Sequence, residues 1–130
     1  MEKVCEFLQK AHVFYVATVE EDQPRVRPFG IAHILDGKLC VMTGKCKPVS
    51  KQIMKNSKVE ICACVGTEWV RIAGNLIEDD RLEIREAMLD AYPFMKKTYS
   101  ADDGNMQVLY FENATATFDS FSGNHEVVTF

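Results

Sequence analysis

The stretch Arg25–Asn56, "RVRPFGIAHILDGKLCVMTGKCKPVSKQIMKN", carries the signals that decide the fold. Residues 25–35 are rich in β-branched and aromatic side chains and read as one strand, with Pro28 pointing to an edge, a bulge or a close ligand. Asp36-Gly37 then supplies the residue pair that favours a two-residue hairpin turn, and "KLCVMT" (38–43) returns as the next strand. Gly44 breaks that strand. "KPVSKQIMKN" reads as a short helix with Pro48 in its first turn, where a missing N–H removes no helix bond.

The same stretch poses a question of charge. The chain carries a formal net charge of −4, yet between Gly37 and Val59 there are six lysines and no Asp or Glu. Lys45 and Lys47 stand at the start of the helix, where a cation opposes the macrodipole. An anion bound there would resolve the conflict. Lys47, Lys51, Lys55 and Lys58 share one helix face, and on the preceding strand Arg25 and Arg27 project to one face with Phe29, Ile31 and His33. A lysine stripe alone describes a solvated face. Combined with backbone N–H groups at a helix start, a glycine that permits close approach and the absence of acids, it predicts a phosphate site.

Outward from this stretch, residues 2–11 place Val4, Phe7, Leu8 and Ala11 at the spacing of an amphipathic helix. "HVFYVATV" (12–19) reads as a strand buried on both faces. "KVEICACV" (58–65) and "EWVRIAGNLIE" (68–78), with Gly74 as a bulge, read as further strands, "MQVLYFENATATFDSF" (106–121) as one long bent strand or two consecutive ones, and "DRLEIREAMLDAY" (80–92) as a helix. Six mostly antiparallel strands with few helices predict an α+β protein built on a β-barrel. With 130 residues, no internal repeat and no linker, one domain spanning 1–130 is expected.

Composition excludes several classes. No apolar run approaches the length of a membrane span, and the N-terminus lacks a basic start and a small-residue cleavage site, so a cytoplasmic location is expected. An acidic chain argues against general nucleic-acid binding. Five cysteines fit neither a disulfide framework nor a four-ligand zinc pattern. Cys40, Cys62 and Cys64 are expected as small hydrophobes in the core, leaving Cys46 in the ligand loop. His12, His33 and His125 show no metal-ligand spacing, although His33 shares a strand face with Arg27. Trp69 is expected in the core or at a subunit contact.

Three segments in order, "FYVATVEEDQPRVRPFG", "GKLCVMTGKCKPVSKQIMKN" followed by "SKVEICA", and "VRIAGNLIEDD", resemble the pyridoxamine 5'-phosphate oxidase-like, FMN-binding split β-barrel proteins. The likeness runs over nearly the whole chain and is greatest to small nitroimidazole-resistance and general-stress flavoproteins. It implies a six-stranded split barrel, a homodimer, and FMN at the subunit interface. Carried over residue by residue, it places Arg27 on the phosphate and Pro28, Phe29 and Gly30 along the flavin. Met42 and Thr43 fall at the end of the third strand, and Lys45, Lys47, Lys51 and Gln52 around the start of the helix. Where the oxidases begin that helix with a pair of basic residues, this chain has Pro48 and Val49. It also ends "SGNHEVVTF", without the arginine-rich substrate segment of the vitamin-forming enzymes, which argues against pyridoxine-phosphate oxidation. The resemblance therefore implies an FMN-dependent oxidoreductase passing electrons from a small-molecule donor to a nitro, quinone or similar acceptor, with no residue assignable as acid or base. The alternative is a non-catalytic flavin- or haem-binding or redox-sensing split barrel.

Overall fold

Strands and helices succeed one another along residues 1–130, all of which the computed structural model describes. The order is α1 (Glu2–Ala11), β1 (Phe14–Glu20), β2 (Gln23–Phe29), β3 (Ala32–Leu35), β4 (Lys38–Gly44), α2 (Pro48–Lys55), β5 (Lys58–Val65) and β6 (Glu68–Glu78). There follow α3 (Leu82–Ala91), a short 3-10 helix (Pro93–Lys97), β7 (Met106–Ser120) and β8 (His125–Thr129). All pairings are antiparallel, in the order β2-β1-β5-β6-β7-β4-β3, with β8 on β7. The expected hairpin between β3 and β4 is present, with Asp36 and Gly37 both at positive φ (51° and 71°), the geometry of a primed two-residue turn.

Six strands were expected and the protein has eight. The run read as one strand over 25–35 changes partner at Gly30–Ile31: β2 pairs with β1 only, and β3 with β4 only. The second addition is β8, whose residues are largely exposed and lack an inward apolar alternation.

β2 and β3 lie at opposite ends of the sheet order, yet two residues separate them. Three Cα–Cα steps span at most about 11 Å, so the sheet must curl until its ends meet. No ladder bonds join them. The result is an α+β, antiparallel barrel left open along one seam.

Two hydrophobic clusters fill it. Leu8, Phe14, Val16, Val41, Ile53, Ile61, Ile72 and Leu109 belong to the larger one, inside the curled sheet. Cys40, Met42, Met88, Met106 and Val108 belong to the second, where α3 covers the outer face of β4 and β7. Successive residues of β4 thus serve both clusters, which is why every residue from Leu39 to Gly44 is buried.

β1 departs from its reading as a strand buried on both faces. Phe14, Val16 and Thr18 point inward, while Tyr15 is 51% exposed. Of the three cysteines expected in the core, Cys40 is there and Cys62 and Cys64 are not. Cys5 and Cys40 are buried, and burial pushes both thiols up to about 11. Cys62 is only half-buried and Cys64 exposed, because Val59, Ile61 and Ala63 take the inner face of β5 and leave the alternate residues outside. No helix is long and apolar enough to cross a membrane.

Gly74 sits at the expected bulge, where the β6–β7 register shifts between Ala73 and Asn75. A Cβ there would come within 3.0 Å of Ala114 Cα, a backbone atom with little freedom to retreat. Gly74→Ala is expected to destabilise the fold by about 1–3 kcal/mol through overpacking, read as a lower urea midpoint. An unchanged midpoint would mean that the strands separate easily here.

Candidate functional site

The seam is also where the basic residues gather. Arg27 alternates with Arg25 and Phe29 on β2, opposite Val16 of β1. Its Nη1 donates to the Val16 carbonyl at 3.2 Å and to Thr18 Oγ1 at 2.6 Å, and its Nη2 donates to Gln52 Oε1 at 2.5 Å. Thr18 Oγ1 in turn donates to Gln52 Oε1 at 2.6 Å. A guanidinium has five N–H groups, so this mooring leaves Nε–H and one Nη2 hydrogen unused. Burial, and then the nearby charge of Arg25, hold the Arg27 pKa below its usual range. Glu20 answers part of that charge. It accepts from Arg25 at 3.0 Å and from Gln52 Nε2 at 3.4 Å, and these bonds, the one from Arg25 first, lower its pKa.

A cleft of about 160 Å³ opens beside Arg27, walled by β2, β4, the start of α2 and the segment after α3. It shares Arg27, Lys47 and Val49 with a wider groove of about 520 Å³ that continues past Arg25 and Gln52. Seven of the expected residues line the cleft: Arg27, Pro28, Phe29, Gly30, Met42, Thr43 and Lys47. No carboxylate lines it.

The other three expected residues are placed differently. Gln52 is 6% exposed and turns its oxygen to Arg27 and Thr18, so it holds the arginine in place. Lys51 borders a separate depression with Lys55, Glu20 and Glu21. Lys45 is engaged by Glu78 at 3.5 Å and Asp80 at 3.7 Å. The backbone nest expected at the helix start is largely spent as well. The N–H of Lys45 donates to the Asn105 carbonyl at 2.7 Å, that of Cys46 to Asn105 Oδ1 at 3.0 Å, and that of Lys47 to the Gly44 carbonyl at 3.0 Å. Pro48 has none to offer. Side-chain cations, more than backbone amides, therefore define the electrostatics here.

His33 lies away from the cleft, 3.4 Å from Gln9 Nε2 and edge-on to the Tyr92 ring. Trp69 packs on Phe121, also outside it. Conversely, Thr18, Met95 and Tyr99 belong to the site and were not named from the sequence, while Ile31 and Val49 were named without a site role. Thr18 had a legible signal, an inward-facing hydroxyl in an otherwise apolar strand. Met95 and Tyr99 had none, since they arrive from a segment distant in sequence.

The pyridoxamine 5'-phosphate oxidase family model matches residues 1–118, and the chain belongs to that family. Among solved structures, a NimC/NimA family protein from Clostridium acetobutylicum is 43% identical, with a TM-score of 0.97, covering 100% of this chain and 92% of its own. This agrees with the resemblance to nitroimidazole-resistance proteins. A pyridoxamine 5'-phosphate oxidase-related, FMN-binding protein from Nostoc punctiforme is 14% identical, with a TM-score of 0.64, covering 99% of this chain and 95% of its own. A heme binding protein from Mycobacterium smegmatis is 16% identical, with a TM-score of 0.73, covering 94% of this chain and 57% of its own. The last two likenesses show the fold. No curated protein matches the chain.

Thr18 joins Arg27 and Gln52 through both its donor and its acceptor capacity. Thr18→Val is expected to lower stability by about 1–3 kcal/mol, because both partners lose a buried bond while the side-chain shape is kept. Chemical denaturation measures this, and a neutral result would mean that Gln52 alone suffices to moor the arginine.

Proposed function

We propose that the chain is an FMN-binding flavoprotein and an oxidoreductase, taking electrons from a small-molecule donor and passing them to a nitro, quinone or similar acceptor. The observation that carries this reading is the acid-free cleft at the seam, with two unused N–H donors on Arg27 and the ammonium of Lys47 beside it. That donor set suits a phosphate monoester dianion, whose oxygens accept charge-assisted bonds from a guanidinium and an ammonium. Family membership and the FMN-binding neighbour of the same fold support the choice of flavin phosphate.

In this reading Arg27 and Lys47 hold the phosphate, and Gln52 and Thr18 keep the guanidinium oriented. Phe29, Ile31 and Met42 supply apolar surface beside them and exclude water. Bound flavin supplies the redox chemistry, accepting and releasing hydride or single electrons. None of the three histidines lines the cleft, so no side chain there is an obvious haem-iron imidazole.

The cleft is too small for a fused three-ring system, and the remaining walls are proposed to come from a second copy of the chain. Tyr15 and Val26, exposed at 51% and 68%, lie on β1 and β2 beside the seam, with Val13 next to them. Burying them between subunits accounts for the apolar residues that the barrel leaves outside. Sedimentation at micromolar concentration is expected to give a dimer, and a stable monomer would remove the shared site.

The cofactor reading is tested on purified protein by absorbance and by mass spectrometry of the released ligand. FMN is expected, and a haem band instead would overturn the proposal. Arg27→Ala and Lys47→Ala should each weaken FMN about ten- to hundredfold, since charge-assisted bonds contribute roughly 1.5–3 kcal/mol. Lys51→Ala and Lys55→Ala, which border the other depression, should change little. Bleaching of bound FMN by NADH or NADPH, followed by reoxidation with a nitroaromatic or quinone, would distinguish turnover from storage.

A further inference from the structure

Two hydroxyls in the cleft are unexplained by the contacts within the protein. Thr43 is 3% and Tyr99 8% exposed, and both line the cleft. Every side-chain nitrogen or oxygen sealed from solvent in this protein has a hydrogen-bond partner. The Thr43 and Tyr99 hydroxyls have no partner within the protein, so neither oxygen is sealed from solvent, and both residues line the cleft. Hydroxyls that line a cleft and are unbonded within the protein keep their donor and acceptor capacity for a ligand.

Gly44 supplies a second, independent observation. A Cβ at this position would lie 3.1 Å from Tyr99 Oη and 3.1 Å from Asn105 Nδ2. Gly44 is not among the glycines at positive φ, so its backbone does not require glycine. What the missing side chain provides is room for the tyrosine hydroxyl and for Asn105. The wall that carries Tyr99 is fixed in place. The Tyr99 N–H donates to the Met95 carbonyl at 2.9 Å, Arg85 Nε donates to the Ala101 carbonyl at 2.6 Å, and Asn105 takes the amides of Lys45 and Cys46. The hydroxyl is therefore held by the fold before any ligand arrives.

We infer that Tyr99 and Thr43 donate hydrogen bonds to the same oxyanion that Arg27 and Lys47 hold. Tyr99 is then a ligand-binding residue contributed by the segment between α3 and β7. The inference rests on the phosphate reading above. Two cations, two neutral donors and no carboxylate suit a group with three terminal oxygens and up to two negative charges. A volume of about 160 Å³ admits such a group and the start of its ester.

The test uses Tyr99→Phe and Thr43→Val, each close in shape to the native residue, titrated with FMN and with riboflavin. Because neither hydroxyl is bonded within the protein, the unfolding midpoint of the ligand-free variants should be unchanged or higher. FMN affinity should fall about tenfold or more for Tyr99→Phe, the size of a lost bond to a charged group, with riboflavin unaffected. Inorganic phosphate should compete with FMN less well in the variant. Unchanged FMN affinity in Tyr99→Phe, where Arg27→Ala weakens it, overturns the role of Tyr99 and leaves the phosphate reading standing. Equal loss for FMN and riboflavin also overturns it, because the hydroxyl would then meet the ring or the sugar chain. Failure of the wild type to bind FMN overturns both.

Discussion

Gly30 and Ile31 are all the chain between β2 and β3, the two ends of the sheet. That short reach forces the sheet to curl, and the lack of ladder bonds between its ends leaves a seam. A closed barrel would have filled this space with strand-to-strand hydrogen bonds. An open one presents side chains from β2 and β4 to a gap, and the start of α2 lies against it. The site is a consequence of incomplete closure. The barrel's interior stays apolar because the polar residues that would spoil it are placed along the gap.

The width of that gap depends on α2, which buried polar contacts tie down on two sides. Toward β1 and β2, Gln52 meets Thr18 and Arg27. Toward β7, Ser50 Oγ donates to Gln107 Oε1 at 2.6 Å, and Gln107 Nε2 donates to Glu78 Oε2 at 2.9 Å. Networks of this kind fix geometry only when every member is satisfied, since a lost partner leaves a desolvated polar group behind. Here no sealed side-chain nitrogen or oxygen is left over. The apolar residues of the same helix, Val49 and Ile53, pack into the main core.

The sequence made the local elements legible wherever one rule acted alone. The Asp36-Gly37 turn, Pro48 at the first turn of α2 and the bulge at Gly74 were all found where their chemistry put them. Partner choice was not legible. Nothing between Arg25 and Leu35 announces that the chain leaves β1 for β4, because β-branched residues suit either partner. β8 was missed for a related reason: it is paired along one edge with its side chains mostly in solvent, so no inward alternation marks it. At the site, Arg27 and Lys47 were legible from charge. Gln52 was legible as a member of the site and was assigned to the ligand, where its buried oxygen serves the arginine. Tyr99 was not legible, since only the tertiary fold brings it across to Gly44.

The charge of the α2 region also has a different answer from the one its sequence suggests. A stretch without acids is not a region without acids. Glu78 and Asp80 come from the end of β6 and just beyond it to meet Lys45, and Glu20 at the end of β1 and Glu21 in the turn after it reach the depression beside Lys51 and Lys55. Of the lysines around the start of α2, only Lys47 faces a cleft that no carboxylate lines. It is also the residue just before Pro48, at the positive end of a helix whose first turn contains no acid. A cation there, beside a partly buried arginine, raises the electrostatic cost of the ligand-free protein. In the phosphate reading proposed above, an anion in the cleft would offset both that cost and the desolvated charge of Arg27, which burial and Arg25 already disfavour.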